Sequence, residues 1–184
     1  MVQIAVVYHS GYGHTKRMAQ AVAEGANATL IAIDAEGNLQ EGGWDTLKAA
    51  DAIIMGSPTY MGTVSWQFKK FADESSKSWF TQQWKDKVFA GFTNSASMNG
   101  DKLSTLNYLF TLSMQHSGIW VGTGLMPSSA KAAQRNDINF IGSFSGAMAQ
   151  SPSDSSPEEM LPGDLETARL FGKRIAEVTT KLKD

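Results

Sequence analysis

Apolar residues along this chain recur in two alternating patterns, short continuous runs and stripes at helical spacing. Residues 4–8 (Ile-Ala-Val-Val-Tyr) are an apolar run rich in β-branched side chains that stops at Ser10-Gly11-Tyr12-Gly13. Such a run predicts a strand buried on both faces and ended by a loop. Met18, Ala21, Val22 and Gly25 then share one helical face, predicting a helix over residues 15–25. Residues 30–33 and 52–55 predict the second and third strands, with a short helix over 44–50 between them and Pro58 stopping the third strand. Val64, Phe68 and Phe71 at i, i+4 and i+7 mark another helix, and residues 88–92 a fourth strand. Leu103, Leu106, Phe110 and Met114 form the next helical stripe, which ends at His116-Ser117-Gly118 with Gly118 suited to a left-handed C′ position. Residues 119–121 read as the fifth strand. From 122 to 163 no period is visible and Ser, Gly, Pro, Asn and Asp abound, so this stretch is expected to be a long connection serving as an interface or an active-site cover. Leu165, Ala168, Phe171, Ile175, Val178 and Leu182 give an amphipathic closing helix. Five strands alternating with helices imply one three-layer α/β/α domain over residues 1–184, built on a parallel sheet with right-handed crossovers.

Composition narrows the chemistry rather than the fold. Sixteen basic against eighteen acidic residues give neither the charge excess of a nucleic-acid binder nor an acidic docking face. Cysteine is absent, which removes disulfides, thiolate nucleophiles and cysteine-ligated metal or iron–sulfur centres, so redox chemistry needs a borrowed cofactor. No metal site is expected. The start lacks a basic n-region, and no apolar stretch reaches the roughly 20 residues that span a bilayer, so a cytoplasmic location without membrane insertion is expected.

In a sheet of this kind ligands bind outside the carboxyl ends of the strands, so the loops after strands one, three and four carry the information. Ser10-Gly11-Tyr12-Gly13-His14-Thr15 combines small hydroxyls, two glycines and the amides of an opening helix. That set suits a phosphate, although a glycine turn with an N-cap explains the same residues. Gly56-Ser57-Pro58-Thr59-Tyr60-Met61-Gly62 fixes its direction at Pro58, offers the Thr59 hydroxyl, and places Tyr60 and Met61 as apolar surface for a planar ring; a plain βα turn is the alternative. Thr93-Asn94-Ser95-Ala96-Ser97-Met98-Asn99-Gly100-Asp101 supplies small residues whose amides can meet the heteroatoms of a heterocycle.

In this order the three loops resemble those of flavodoxin-like NAD(P)H:quinone oxidoreductases of the tryptophan-repressor-binding-protein type. The likeness extends through Ala21-Val22-Ala23-Glu24-Gly25, residues 51–56 and the closing helix. The resemblance implies a five-stranded sheet of order 2-1-3-4-5 and an FMN cofactor. Its phosphate would lie on Ser10, Gly11, Tyr12, Gly13, His14 and Thr15. Pro58, Thr59, Tyr60 and Met61 would lie against the isoalloxazine, and Asn94, Ser95, Ala96, Ser97, Met98 and Asn99 along its pyrimidine edge. It further implies Tyr12 on the nicotinamide side, Trp79 as an aromatic wall at a neighbouring active site, and His116 near flavin and quinone as a hydrogen-bond donor. The implied activity is ping-pong, two-electron reduction of a quinone or similar planar acceptor by NADH or NADPH, in a homodimer or homotetramer.

Each singled-out residue also has a structural reading. His116 ends a helix, where a histidine can satisfy free carbonyls. Trp79 and Trp84 flank Phe80, and aromatics near helix ends commonly pack in cores or interfaces. Asp34 with Gly11 and Gly13 imitates a dinucleotide fingerprint, but Lys16 stands at its third glycine position. The rival functions are a flavodoxin-type electron carrier, an NAD(P)H-dependent FMN or nitro reductase, and a signalling receiver domain. The last requires acidic residues where His9, Ser10 and Ser57 stand.

Overall fold

The structure, a computed structural model, describes residues 1–183. Its elements run β1 (Ile4–His9), α1 (His14–Ala26), β2 (Thr29–Ile33), α2 (Gly43–Ala49), β3 (Ala52–Tyr60), β4 (Thr63–Val64), α3 (Trp66–Glu74), α4 (Ser76–Phe80), β5 (Val88–Ser95), α5 (Lys102–Gln115), β6 (Ile119–Trp120), β7 (Ala147–Gln150), a 3₁₀ turn (Pro157–Glu159) and α6 (Pro162–Lys183). The main sheet is parallel in the order β2-β1-β3-β5-β6, the doubly wound order that the family resemblance implies. Along β1, Ile4, Val6 and Tyr8 join Met18, Val22, Phe171 and Ile175 beneath α1 and α6. Ala5 and Val7 face the opposite layer, with Leu47, Phe68, Phe71, Trp84, Leu106 and Leu109. Both faces of the strand are therefore apolar, because both are covered. Helices α1 and α6 touch backbone to backbone: a Cβ at Gly25 would lie 1.8 Å from the Arg169 carbonyl oxygen, and one at Gly172 2.0 Å from that of Val22.

Four sequence expectations change. Pro58 does not stop β3, which continues to Tyr60 with Pro58 opposite Asn94. The β1 pairing ends at Gly56, so beyond it β3 has a single parallel neighbour and can lose an N–H without breaking a second ladder. The fifth strand is built from two pieces: β6 pairs with the start of β5, and β7, inside the supposed connecting segment, pairs with its end. The stripe expected to bury α5 is turned outward, with Leu103, Phe110 and Met114 at 52%, 43% and 40% exposure apart from buried Leu106; the inward face is Lys102, Thr105, Leu106, Leu109 and Ser113. Finally, Ser117 takes the left-handed C′ position (φ 57°), and the amide of Gly118 bonds the Ser113 carbonyl to close the helix.

The segment after β6 is ordered by its own polar contacts. The Asn139 side chain donates to the carbonyls of Leu125 and Ser143 and accepts from the Ser143 amide. Arg135 grips buried Asp164 with two bonds of 2.7 Å. Among the described residues no helix is long and apolar enough to cross a membrane, and no group of three or more His, Cys, Asp or Glu is placed to hold a metal.

Candidate active site

The carboxyl ends of β1, β3 and β5 open on a cleft of about 520 Å³, lined by Ser10, Tyr12, His14, Thr15, Pro58, Thr59, Tyr60, Asn94, Ser95 and Ala96. This falls in the range typical of cofactor and ligand clefts. Residues 151–155 form a further wall through Ser151, Pro152, Ser153 and Ser155. Three bonds tie that wall to the predicted loops: the Ser151 amide donates to the Ser95 carbonyl at 3.0 Å, the Ser151 hydroxyl donates to Asn94 Oδ1 at 3.0 Å, and His14 Nε2 lies 3.0 Å from the Ser155 carbonyl. Sequence reasoning expected a cover or interface somewhere in residues 122–163 but did not single out these residues, because Ser-rich segments carry no period. A larger groove of about 730 Å³ runs between Trp66 and Tyr108, but none of the predicted loops reaches it.

The first loop delivers free donors. Gly13 is the N-cap of α1 at φ 95°, no side chain caps the helix, and its first turn holds no acidic residue. The first helical bond is from the Arg17 amide to the Gly13 carbonyl, which leaves the amides of His14, Thr15 and Lys16 without a protein acceptor among the described residues. Ser10 folds the loop by accepting from the Gly13 amide at 3.1 Å. The N-terminus of a thirteen-residue helix with uncommitted amides and no acidic residue in its first turn can receive an anion. Asp34, by contrast, closes its own turn by accepting from the amides of Glu36 and Asn38, so the dinucleotide-fingerprint reading has no free carboxylate to rest on.

The second loop differs from expectation. The Thr59 hydroxyl is 2.8 Å from both Thr93 and Thr105 hydroxyls, so it is spent inside the protein. Met61 sits at the tip of a two-residue hairpin with Gly62, both at positive φ, and is fully exposed and outside the cleft. Tyr60 stays, meeting exposed Tyr12 edge to face at 6.3 Å between ring centroids. Burial and the neighbouring Tyr12 push the Tyr60 phenol above its usual range, so it remains a neutral donor. In the third loop, Asn94, Ser95 and Ala96 line the cleft, while Ser97, Met98 and Asn99 are exposed at its rim.

His116 and Trp79 lie elsewhere. The His116 end of α5 leads into β6, which starts opposite Val88 at the beginning of β5, whereas the cleft lies at the Ser95 end. Eight strand residues separate the two edges by about 25 Å. His116 is 4% exposed and packs on Trp84, with ring centroids 4.4 Å apart. The Ser75 hydroxyl donates to the Ala72 carbonyl at 2.6 Å, so it must accept from His116 Nε2 at 2.9 Å. That leaves Nδ1 buried and unpaired, and burial pushes the imidazole down to about 4. Its one donor is therefore used within the fold, and the expected approach to flavin and quinone does not occur within one chain. Half-exposed Trp79 shares a surface cleft with Phe80, Gln115 and His116 at this far edge.

Comparison with known proteins agrees with this fold. A family model described as NADPH-dependent FMN reductase matches residues 44–132. The chain is 56% identical over 182 residues to Flavodoxin FldP of Pseudomonas aeruginosa (strain UCBPP-PA14), covering 99% of each protein. It is 34% identical over 206 residues to the NAD(P)H dehydrogenase (quinone) of Archaeoglobus fulgidus, covering 99% of this chain and 100% of that one. A crystal structure of the flavodoxin, WrbA-like protein from Agrobacterium tumefaciens superposes with a TM-score of 0.80 at 58% identity, covering 98% of this chain and 99% of that one. With its sheet order, its carboxyl-edge cleft and its full-length relatives in agreement, the chain belongs to the flavodoxin-like oxidoreductase family of the tryptophan-repressor-binding-protein type.

Proposed function

We propose that the chain, acting as a single flavodoxin-like domain, holds FMN in the carboxyl-edge cleft and uses it to pass two electrons from NADH or NADPH to a quinone or similar planar acceptor. The observation that carries this reading is one cleft bounded on one side by the uncapped start of α1 and on the other by residues 94–96. The amides of His14, Thr15 and Lys16 would hold the phosphate with help from the helix dipole, and Ser10 keeps the loop folded for it. Pro58 and Tyr60 would flank the ring from β3, and the amides after Asn94 would meet its pyrimidine edge. Bound FMN would supply the hydride chemistry; the protein supplies position and electrostatics. Tyr12, the most exposed aromatic at the cleft, is the surface on which a nicotinamide or a flat acceptor can stack.

An aromatic wall from Trp79 needs a second copy of the chain, because Trp79 cannot reach the cleft of its own subunit. The outward face of α5 with Leu103, Phe110 and Met114 suits such assembly into a homodimer or homotetramer. The second reading, an electron carrier with no substrate of its own, is favoured by the likeness to a relative named flavodoxin. A steady-state assay separates the two. With FMN-loaded protein, NADH and NADPH are compared against benzoquinone, a nitroaromatic and free FMN. Quinone turnover dependent on bound FMN supports the oxidoreductase. Protein that NADH and NADPH cannot reduce, yet that accepts electrons from a separate reductase, supports the carrier.

A further inference from the structure

Lys102, the first residue of α5, is completely buried. Its ammonium donates to Ser95 Oγ at 3.0 Å, to the Ser97 carbonyl at 2.6 Å and to the Met98 carbonyl at 2.9 Å. All three of its protons are thus used. The Ser95 hydroxyl accepts from Lys102 and donates to the Ser97 carbonyl at 3.2 Å. The preceding carbonyl, Ala96, accepts from Gln150 Nε2 at 2.8 Å. Three successive carbonyls of the third loop are therefore held by the protein, while the amides of residues 96–99 find no acceptor among the described residues. A loop fixed in this way keeps its donors uncommitted beside the cleft.

The charge is as unusual as the geometry. Burial pushes the Lys102 ammonium down to about 8, with Asp164 opposing that shift and Arg135 adding to it. Asp164 on α6 and Arg135 from the segment after β6 are paired with each other, so to first order they cancel. Among the described residues no carboxylate is in contact with the positive charge of Lys102 beneath the loop.

We infer that Lys102 is a positioning residue for the flavin: it draws back the loop carbonyls so that the amides of residues 96–99 serve the ring, and it fixes a positive charge under the ring edge where two-electron reduction adds negative charge. The inference rests on the proposed FMN site and holds whether the final acceptor is a quinone or a partner protein. Hydride delivery moves two electrons and one proton from NAD(P)H, which is oxidised, and adds one net negative charge to the ring until a second proton arrives from water. A buried cation favours that added charge, so reduced flavin is held more tightly than oxidised flavin.

The test measures oxidised-FMN affinity and the two-electron midpoint potential of wild-type protein, Lys102→Met and Lys102→Gln. In Lys102→Met, oxidised FMN binds more weakly and reduced FMN loses about tenfold more, a shift of about 30 mV to more negative potential. In Lys102→Gln, two donors remain without the charge, so oxidised-FMN affinity recovers while the negative shift persists. Should Lys102→Met fail to fold, Lys102→Gln alone decides. Wild-type potentials in the FMN-loaded variants overturn the inference, as does a Gln variant that recovers the potential as well as the affinity. Wild-type protein that takes up no FMN overturns the functional reading, and this inference with it.

Discussion

The two edges of the sheet are built from similar residue types and use them in opposite ways. At the carboxyl edge the helix start at Gly13 and the loop at residues 96–99 keep their amides free around an open cleft. At the amino edge the polar groups turn inward: Ser75, His116 and Trp84 form a closed cluster, with His116 donating to Ser75 and packed at a tilt against Trp84. A histidine, a serine and a tryptophan together are thus no sign of catalysis. What separates the edges is access: the uncommitted amides of the carboxyl edge border an open cleft, whereas Trp84 Nε1, also without an acceptor among the described residues, is sealed in the core.

That contrast can be broken by experiment. Trp84→Ala removes a ring stacked on Trp44 and packed against His116 and should cost about 3–5 kcal/mol in denaturant unfolding, with FMN affinity of the folded fraction unchanged. A loss of FMN binding without loss of stability would join the two edges functionally. His116 gives the next effect. Its folded-state value of about 4 lies below that of the unfolded chain, so the unfolded state binds the extra proton first and stability falls as pH drops from about 6.5 towards 4. The group accounts for roughly 3 kcal/mol over that window, and His116→Leu should flatten the slope in acid unfolding curves. His9, also pushed down by burial, adds slope that the variant retains.

Gly13→Val attacks the other edge. A Cβ at φ 95° would lie 2.6 Å from Pro157, so FMN affinity should fall on the order of 100-fold while the core stays intact. Thr59→Val is the mildest test. It removes a hydroxyl shared with Thr93 and Thr105 and should cost about 1 kcal/mol, with FMN affinity nearly unchanged. A large loss of affinity would show that this hydroxyl does meet the ligand.

The sheet was legible because its strands are buried on both faces and therefore read as continuous apolar runs, as in residues 4–8 and 52–55. α5 was misread for a physical reason: its inward face includes Lys102, Thr105 and Ser113, whose polar atoms are satisfied internally, so hydrophobicity alone selects the exposed stripe. β7 alternates buried and half-buried positions within only four residues, too short a span to reveal a period. The wall at residues 151–155 had one readable signal, the capping box of Ser156 with Glu159 just beyond it, which marks a structured turn within the Ser-rich stretch. The structure brings Ser10, Tyr12, His14, Thr15 and residues 94–96 together at one cleft. Met61, the Thr59 hydroxyl and His116 lie otherwise than the loop order suggests, because sequence order gives no direction to a side chain.

The most direct measurement compares equilibrium binding of FMN and riboflavin, which differ only in the phosphate, to the purified protein. If α1 holds the phosphate, FMN binds on the order of 100-fold tighter than riboflavin, and Gly13→Val removes most of that difference. Equal affinity for the two, or no binding of either, would contradict the site.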